Sequence, residues 1–66
     1  MNMKKIVQHL CLDRGISVAQ VERDLNFGKN TIGHWDKSMP KVDKFMAVCK
    51  YFDANPDEIM KKLFSI

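Results

Sequence analysis

Residues 16–38 read ISVAQVERDLNFGKNTIGHWDKS, and the order of capping, apolar and turn residues in this stretch predicts the fold. Ser17 is a favourable helix N-cap, because its hydroxyl can accept a hydrogen bond from an amide of the first turn. Apolar residues then recur at spacings of four and three, as on the inward face of a helix: Val18, Val21 and Leu25. The pattern predicts a helix over residues 18–25.

A tight turn and a second helix are expected after it. Asn26 accepts a positive φ nearly as well as glycine, so the turn can form there with Phe27 as its apolar plug. The second helix is predicted over residues 29–37, with Ile32 and Trp35 three positions apart on its inward face. Its opposite face carries polar or small residues: Lys29, Asn30, Gly33, His34 and Lys37.

The segment before this stretch predicts one helix. It runs over residues 3–14, with an inward stripe made of Ile6, Val7 and Leu10. Gly15 supplies the left-handed residue that commonly ends a helix.

Two further helices are predicted after it. Residues 42–52 carry an apolar stripe: Val42, Phe45, Met46, Cys49 and Phe52. Asn55-Pro56-Asp57-Glu58 is a strong helix start, with an N-cap, a proline at the first position and acids in the first turn. The last helix presents Ile59, Met60 and Leu63. The sequence therefore predicts a compact all-α fold of five short helices in one domain, residues 1–66.

Composition and charge bound the function. The chain has 66 residues and a formal charge of +3, which suits a polyanionic partner. Two cysteines, Cys11 and Cys49, are too few for a secreted disulfide framework and indicate buried free thiols in a reducing cytoplasm. The start MNMKK does not resemble a signal peptide, and the longest uncharged run in the first half, residues 6–12, is too short to span a membrane.

The two helices of residues 17–37 together predict a helix-turn-helix, whose second helix can enter the DNA major groove. Lys29 can donate to guanine, and Asn30 can form a bidentate pair with adenine. Gly33 lets the backbone approach DNA closely, and His34 can donate, accept or stack. These four residues are the expected base contacts. An ordinary solvated helix surface would explain the same residues.

Phosphate contacts are expected beside these base contacts. The candidates are Thr31, Lys37, Ser38 and Lys41. Lys41 can equally be a charge that only keeps the protein in solution.

The stretch resembles the helix-turn-helix of the lambda-repressor/Cro-like (XRE) family, whose pattern is approximately L-S-x-x-x-L-A-x-x-L-G-V-S-x-x-T-I-S-x-W-E-x-G. The positions in register are Ile16-Ser17, Val21, Leu25, Phe27, Thr31-Ile32, Trp35 and Asp36, and the later NPDEIM resembles the family's V-S-x-D-E-L. The resemblance implies a five-helix DNA-binding domain. It further implies a phage or bacterial repressor that binds an inverted repeat as a dimer.

Three departures from the family pattern bear on DNA binding. Glu22 replaces a small residue where the two helices cross, which implies either a wider crossing or an outward side chain paired with Arg23 or Lys29. Val18 replaces a glutamine that holds a phosphate in relatives. Gly28 replaces the serine cap of the third helix, which weakens its start.

Several apolar residues do not fit on the inward faces of the predicted helices, which indicates an interface with another protein chain. The resemblance and this patch together predict a homodimer interface that contains Met60, Phe64 and Ile66. The alternative function is a protein-interaction module on the same fold, such as an antirepressor or an antitoxin.

Catalysis and metal binding are not expected. His9 and Cys11 lie two apart on a helix and do not face each other, and no zinc-ligand spacing occurs. No nucleophile lies beside a plausible base. The sequence therefore predicts no enzyme activity, no cofactor, no metal, no small-molecule substrate and no membrane association.

Overall fold

A computed structural model describes residues 2–64 of the chain. Four α-helices follow one another: α1 (Met3–Arg14), α2 (Val18–Asp24), α3 (Val42–Tyr51) and α4 (Pro56–Leu63). A 3-10 helix, Ile32–Asp36, lies between α2 and α3. Residues 2–64 contain no β-strand, so the all-α prediction is confirmed, but the count of five α-helices is not.

The ends of α1 and α2 follow the capping residues that the sequence provides. The Asn2 side chain accepts from the amide of Lys5 at 2.9 Å, which satisfies one free donor at the start of α1. Gly15 ends α1 in the left-handed region at φ 67°, as predicted. Ser17 accepts from the amide of Gln20 at 3.1 Å, so the predicted cap of α2 is also confirmed.

The core is built from one face of each helix together with the 3-10 helix. Its members are all almost inaccessible to solvent: Met3, Ile6, Val7, Cys11, Val21, Ile32, Trp35, Phe45, Val48, Cys49, Phe52 and Ile59. Both cysteines are free and buried, as predicted. Loss of solvent around them raises the pKa of the Cys11 and Cys49 thiols, which favours the unreactive protonated form.

The predicted inward stripe of α3 is partly wrong. Val42 is 78% exposed and Met46 is 48% exposed, whereas Val48, left out of that stripe, is completely buried. The buried residues of α3 are Phe45, Val48 and Cys49, and Phe52, which caps the end of the helix, is buried as well. Val42 is the first residue of the helix and Met46 lies one position beyond this face, so the core covers neither of them.

The start of α4 also follows its sequence signals. Asn55 accepts from the amide of Asp57 at 2.9 Å, and Pro56 occupies the first position of the helix. Ile59 is buried, Leu63 is half-buried, and Met60 is 38% exposed, so Met60 does not belong to the inward face.

The end of α3 is attached to α1 through Arg14. An Arg14 Nη donates to the carbonyl oxygen of Phe52 at 2.6 Å, and the guanidinium carbon lies 5.9 Å from the centre of the Phe52 ring. A free carbonyl at a helix C-terminus is thereby satisfied by a charged donor.

Candidate nucleic-acid interface

The turn after α2 determines where residues 29–37, called the interface segment below, begin. The amide of Phe27 donates to the carbonyl of Glu22 at 2.8 Å, and Asn26 adopts a positive φ of 58°. This confirms the left-handed turn residue expected at Asn26. Phe27 is half-buried and packs edge-on against Trp35 with ring centres 6.0 Å apart, so the predicted apolar plug is also confirmed.

The predicted α-helix over residues 29–37 is wrong. Asn30 adopts a positive φ of 63°, which interrupts helical geometry within the predicted range. The regular part is the 3-10 helix alone, preceded by a turn that the amide of Thr31 closes on the carbonyl of Gly28 at 3.1 Å. Thr31 occupies the N-cap position of the 3-10 helix but makes no side-chain cap bond to it.

Glu22 provides the missing cap from a different helix. Its Oε2 accepts a hydrogen bond from the amide of Ile32, the first residue of the 3-10 helix, at 2.9 Å. Glu22 is half-buried beside the segment. The expectation that this side chain turns outward and pairs with Arg23 or Lys29 is therefore wrong. Arg23 instead donates to the side chain of Gln20 at 3.0 Å.

The 3-10 helix divides its residues into an anchored side and an exposed side. Ile32 is completely buried and Trp35 is 5% exposed, as the spacing of three predicted. Because a 3-10 helix has three residues per turn, Thr31, His34 and Lys37 lie along a different edge. His34 and Lys37 are exposed, and Lys29 and Asn30 are exposed in the turn before the helix.

Gly33 is half-buried and lies in open surroundings. A Cβ atom added there would meet the Cβ of Asn30 at 3.8 Å, an ordinary contact. Its φ is not in the left-handed region, since Gly15 is the positive-φ glycine of the described chain. The fold therefore does not require glycine at position 33.

Two of the expected phosphate contacts already use their hydroxyl groups within the protein. The Thr31 hydroxyl donates to the carbonyl of Gly28 at 2.6 Å, and the Ser38 hydroxyl donates to the carbonyl of His34 at 3.2 Å. Either group must exchange that bond before it can donate to a phosphate. Lys37 and Lys41 are exposed, and Lys41 occupies the N-cap position of α3 without a side-chain cap bond.

The charge around this segment is positive. Residues 27–44 contain four lysines and two aspartates, a formal charge of +2. Lys44 is half-buried, and its Nζ lies 5.6 Å from the centre of the Phe27 ring. This cation–π contact holds the lysine beside the turn.

The expected dimer residues lie at the end of the chain. Phe64 is 68% exposed, and together with Lys37, Ser38 and Met39 it lines one shallow groove. Met60 is on α4, and Ile66 lies outside the described residues.

Metal binding and membrane crossing were also tested on the described part of the chain. Within residues 2–64, no three His, Cys, Asp or Glu side chains are grouped so that they could hold a metal ion. None of the helices there is long and apolar enough to cross a membrane.

Comparison with known protein families identifies the fold. The family model described as the Cro/C1-type HTH DNA-binding domain matches residues 7–62, which include all of α2, the 3-10 helix and α3. Comparisons with curated proteins and with solved structures gave no match. The chain belongs to the Cro/C1-type HTH DNA-binding domain family.

Proposed function

We propose that the chain is a sequence-specific transcriptional regulator, a phage or bacterial repressor that occupies an inverted-repeat operator as a dimer. The observation that carries the proposal is the contrast between buried apolar and exposed polar side chains within residues 29–37. Ile32 and Trp35 are buried, so the segment is held firmly, while Lys29, Asn30 and His34 are exposed to a partner. Family membership supports DNA as that partner.

Base contacts are assigned to Lys29, Asn30, Gly33 and His34. Lysine donates to guanine O6 or N7, and asparagine matches the donor and acceptor edge of adenine. The glycine at position 33 has no role in the fold, which supports a role in close approach of the backbone to DNA. His34 is exposed on the 3-10 helix and can donate or accept.

Phosphate contacts are assigned to Lys37 and Lys41, with Thr31 and Ser38 as secondary candidates that must first release an internal hydrogen bond. Both lysines are exposed at the end of the 3-10 helix and the start of α3. Contacts of this type position a protein on DNA without reading its sequence.

A homodimer through Met60, Phe64 and Ile66 is also proposed. Phe64 is a large aromatic residue with most of its surface exposed, which is unfavourable in water unless a partner covers it. The groove that Phe64 shares with Lys37 and Ser38 supports an interface adjoining the DNA-facing segment. Such a dimer would present two segments to half-sites about 34 Å apart.

The proposed regulator is not an enzyme and uses no cofactor or small-molecule substrate. We propose that it acts in the cytoplasm, where DNA is accessible in bacteria and where thiols such as the two buried cysteines stay reduced.

A protein-interaction module is the second candidate. Leu12 is 76% exposed and Val42 is 78% exposed, so apolar surface is also available away from the proposed dimer residues. Val18 replaces the phosphate-binding glutamine that the family pattern leads one to expect. An antirepressor or antitoxin of this kind would not need Lys29 and Asn30.

A salt titration of DNA binding distinguishes the two candidates. Fluorescence anisotropy would follow binding to a labelled mixed-sequence duplex, and the slope of log affinity against log salt reports the number of phosphates neutralised. A Lys37→Ala/Lys41→Ala variant is expected to flatten that slope by about two charges, because both lysines are assigned to phosphates. Lys50→Ala, near the other end of α3, removes an equally exposed lysine and is expected to change the slope little. Equal, small effects of both variants would favour the interaction module.

A further inference from the structure

Glu22 is joined to the interface segment by one hydrogen bond across the helix-turn-helix. Its Oε2 accepts from the amide of Ile32 at 2.9 Å, ten residues away along the chain. Ile32 itself is fully buried, so this amide has little access to water as a substitute partner. The bond joins the body of α2 to the first residue of the 3-10 helix.

The neighbouring residues do not supply this cap. Thr31 precedes the 3-10 helix with helical dihedral angles and makes no side-chain cap bond. Its hydroxyl is directed to the carbonyl of Gly28, and Gly28 has no side chain. The Glu22 carboxylate therefore performs the function that a local serine or threonine cap usually performs at a helix start.

The segment needs such a restraint. Asn30 has a positive φ of 63°, the helix that follows has only five residues, and short 3-10 helices have weak internal hydrogen bonds. Ile32 and Trp35 fix the segment laterally through the core. The bond from Glu22 fixes the residue at which the 3-10 helix begins. It therefore fixes the orientation of the exposed residues before the helix and within it.

We propose that Glu22 is a positioning residue for DNA reading: its carboxylate caps the 3-10 helix and fixes the orientation of Lys29, Asn30 and His34. The proposal rests on the proposed function, because it assigns these three residues to base contacts. Glu22 itself does not contact DNA. Its Oε2 already accepts from the amide of Ile32 and is therefore not available to a donor group on DNA.

A matched pair of variants isolates the hydrogen bond from the charge. Glu22→Gln and Glu22→Ala both remove one negative charge, but glutamine keeps an acceptor oxygen of the same reach. Any general gain in DNA affinity from the lost charge is therefore common to both. Asp13→Ala, an exposed acid on α1, controls for charge removal elsewhere on the surface.

Two readouts are measured on each variant, at a temperature where circular dichroism shows it to be folded. The first is hydrogen exchange of the Ile32 amide by NMR. The second is the ratio of affinities for the sequence that the wild-type chain selects from random duplexes and for a scrambled duplex. Glu22→Ala is expected to accelerate Ile32 exchange and to reduce the ratio by about tenfold, equivalent to about 1.4 kcal/mol. Glu22→Gln and Asp13→Ala are expected to keep both values close to wild type.

The outcomes separate this proposal from the proposed function. If the wild-type chain selects a sequence and Glu22→Ala keeps the same affinity ratio, Glu22 is not a positioning residue although the chain reads DNA. If Glu22→Gln loses as much as Glu22→Ala, the hydrogen bond is not the cause and the proposal is overturned. If the wild-type chain shows no sequence preference, the proposed function fails and the DNA role of Glu22 fails with it. The exchange rate of Ile32 then still shows whether the cap exists.

Discussion

The Tyr51 hydroxyl donates a hydrogen bond of 2.5 Å to Oδ2 of Asp24, which joins the last residue of α3 to the last residue of α2. The other carboxylate oxygen of Asp24 accepts from the side chain of Gln20 at 2.8 Å. Asp24 immediately precedes the turn to the interface segment. The bond therefore holds the end of α2 against the domain at the point where the chain turns toward residues 29–37.

This bond predicts an alkaline loss of stability. The hydrogen bond to Asp24 raises the pKa of the Tyr51 hydroxyl above its ordinary value of 10.0, and desolvation and the carboxylate charge act in the same direction. Because the pKa is higher in the folded chain, the contribution of Tyr51 is fully present below about pH 10. It is lost as the pH rises from there through the raised folded pKa. Thermal unfolding of wild type and Tyr51→Phe between neutral pH and about pH 11 measures the difference.

Other effects of alkaline pH are common to both proteins, so the difference between the melting temperatures of wild type and Tyr51→Phe at each pH is the quantity to compare. Above about pH 10, the melting temperature of wild type is expected to fall more steeply with pH than that of Tyr51→Phe. Asp24→Asn should reduce the difference, because it removes the carboxylate charge. Parallel curves for wild type and Tyr51→Phe over the whole range would contradict the account.

Gly33→Ala is predicted to leave stability nearly unchanged and to weaken DNA binding. The added Cβ has room and the backbone is not left-handed, so the free energy of unfolding should change by less than about 0.5 kcal/mol. Affinity for the selected DNA should fall by roughly tenfold, if the DNA approaches this backbone closely. Gly15→Ala is the matched control. At φ 67° it should lose about 1–2 kcal/mol of stability while the folded fraction keeps its DNA preference. Unchanged DNA affinity in Gly33→Ala would remove Gly33 from the interface.

Asn30→Gly is predicted to change which base is preferred at one operator position, with a loss of about 1–3 kcal/mol there. Glycine is the suitable replacement because Asn30 has a positive φ, where alanine would add backbone strain to the loss of the side chain. Asn30→Gly therefore removes the side chain without adding backbone strain. Repeating the selection from random duplexes with this variant measures the effect, and an identical preferred sequence would show that Asn30 does not read bases.

Lys41→Ala is predicted to weaken all DNA sequences alike. The side chain is exposed at the start of α3 and makes no cap bond, so its loss should not disturb the fold. The slope of log affinity against log salt should flatten by about one charge for the selected and the scrambled duplex. A loss confined to the selected duplex would contradict the assignment of Lys41 to a phosphate.

Met60→Ser/Phe64→Ser is predicted to convert the proposed dimer to a monomer. Both side chains have exposed surface, so the monomer fold should be largely retained. Sedimentation equilibrium measures the association, and affinity for the full inverted repeat should fall by roughly 100-fold while that for a single half-site is kept. Leu12→Ser, which changes an exposed apolar side chain of α1, is the control and should still dimerise. If the double variant sediments as wild type does, the interface lies elsewhere.

The helix ends could be predicted from the sequence because they depend on single residues. Asn55 and Ser17 are N-caps in the structure, and Gly15 and Asn26 take the left-handed conformations expected of them. The buried pair Ile32 and Trp35 followed from a spacing of three, which places two residues on one face in an α-helix and in a 3-10 helix alike. That ambiguity is why the pair was predicted correctly although the helix type was not.

The features that sequence reasoning missed depend on contacts distant along the chain. The cap on Ile32 comes from Glu22, and the residues between them give no local signal for it. The unusual acid at the helix crossing was the only indication, and it suggested either a wider crossing or an outward ion pair instead. Val42 and Met46 continue the apolar period of α3. The period alone does not show how far the core extends along the helix, which leaves Val42 exposed, or how wide the buried face is, which leaves Met46 exposed.

Selection from random duplexes, carried out at two salt concentrations, shows whether the exposed side chains of residues 29–37 read a DNA sequence. It compares the wild-type chain with a Lys29→Ala/Asn30→Gly/His34→Ala variant. We expect wild type to recover an inverted repeat whose half-sites lie about one turn of the DNA helix apart, and we expect the variant to recover none. Weak, salt-sensitive and sequence-independent binding by both proteins would contradict this expectation, and the interaction module would then become the leading function.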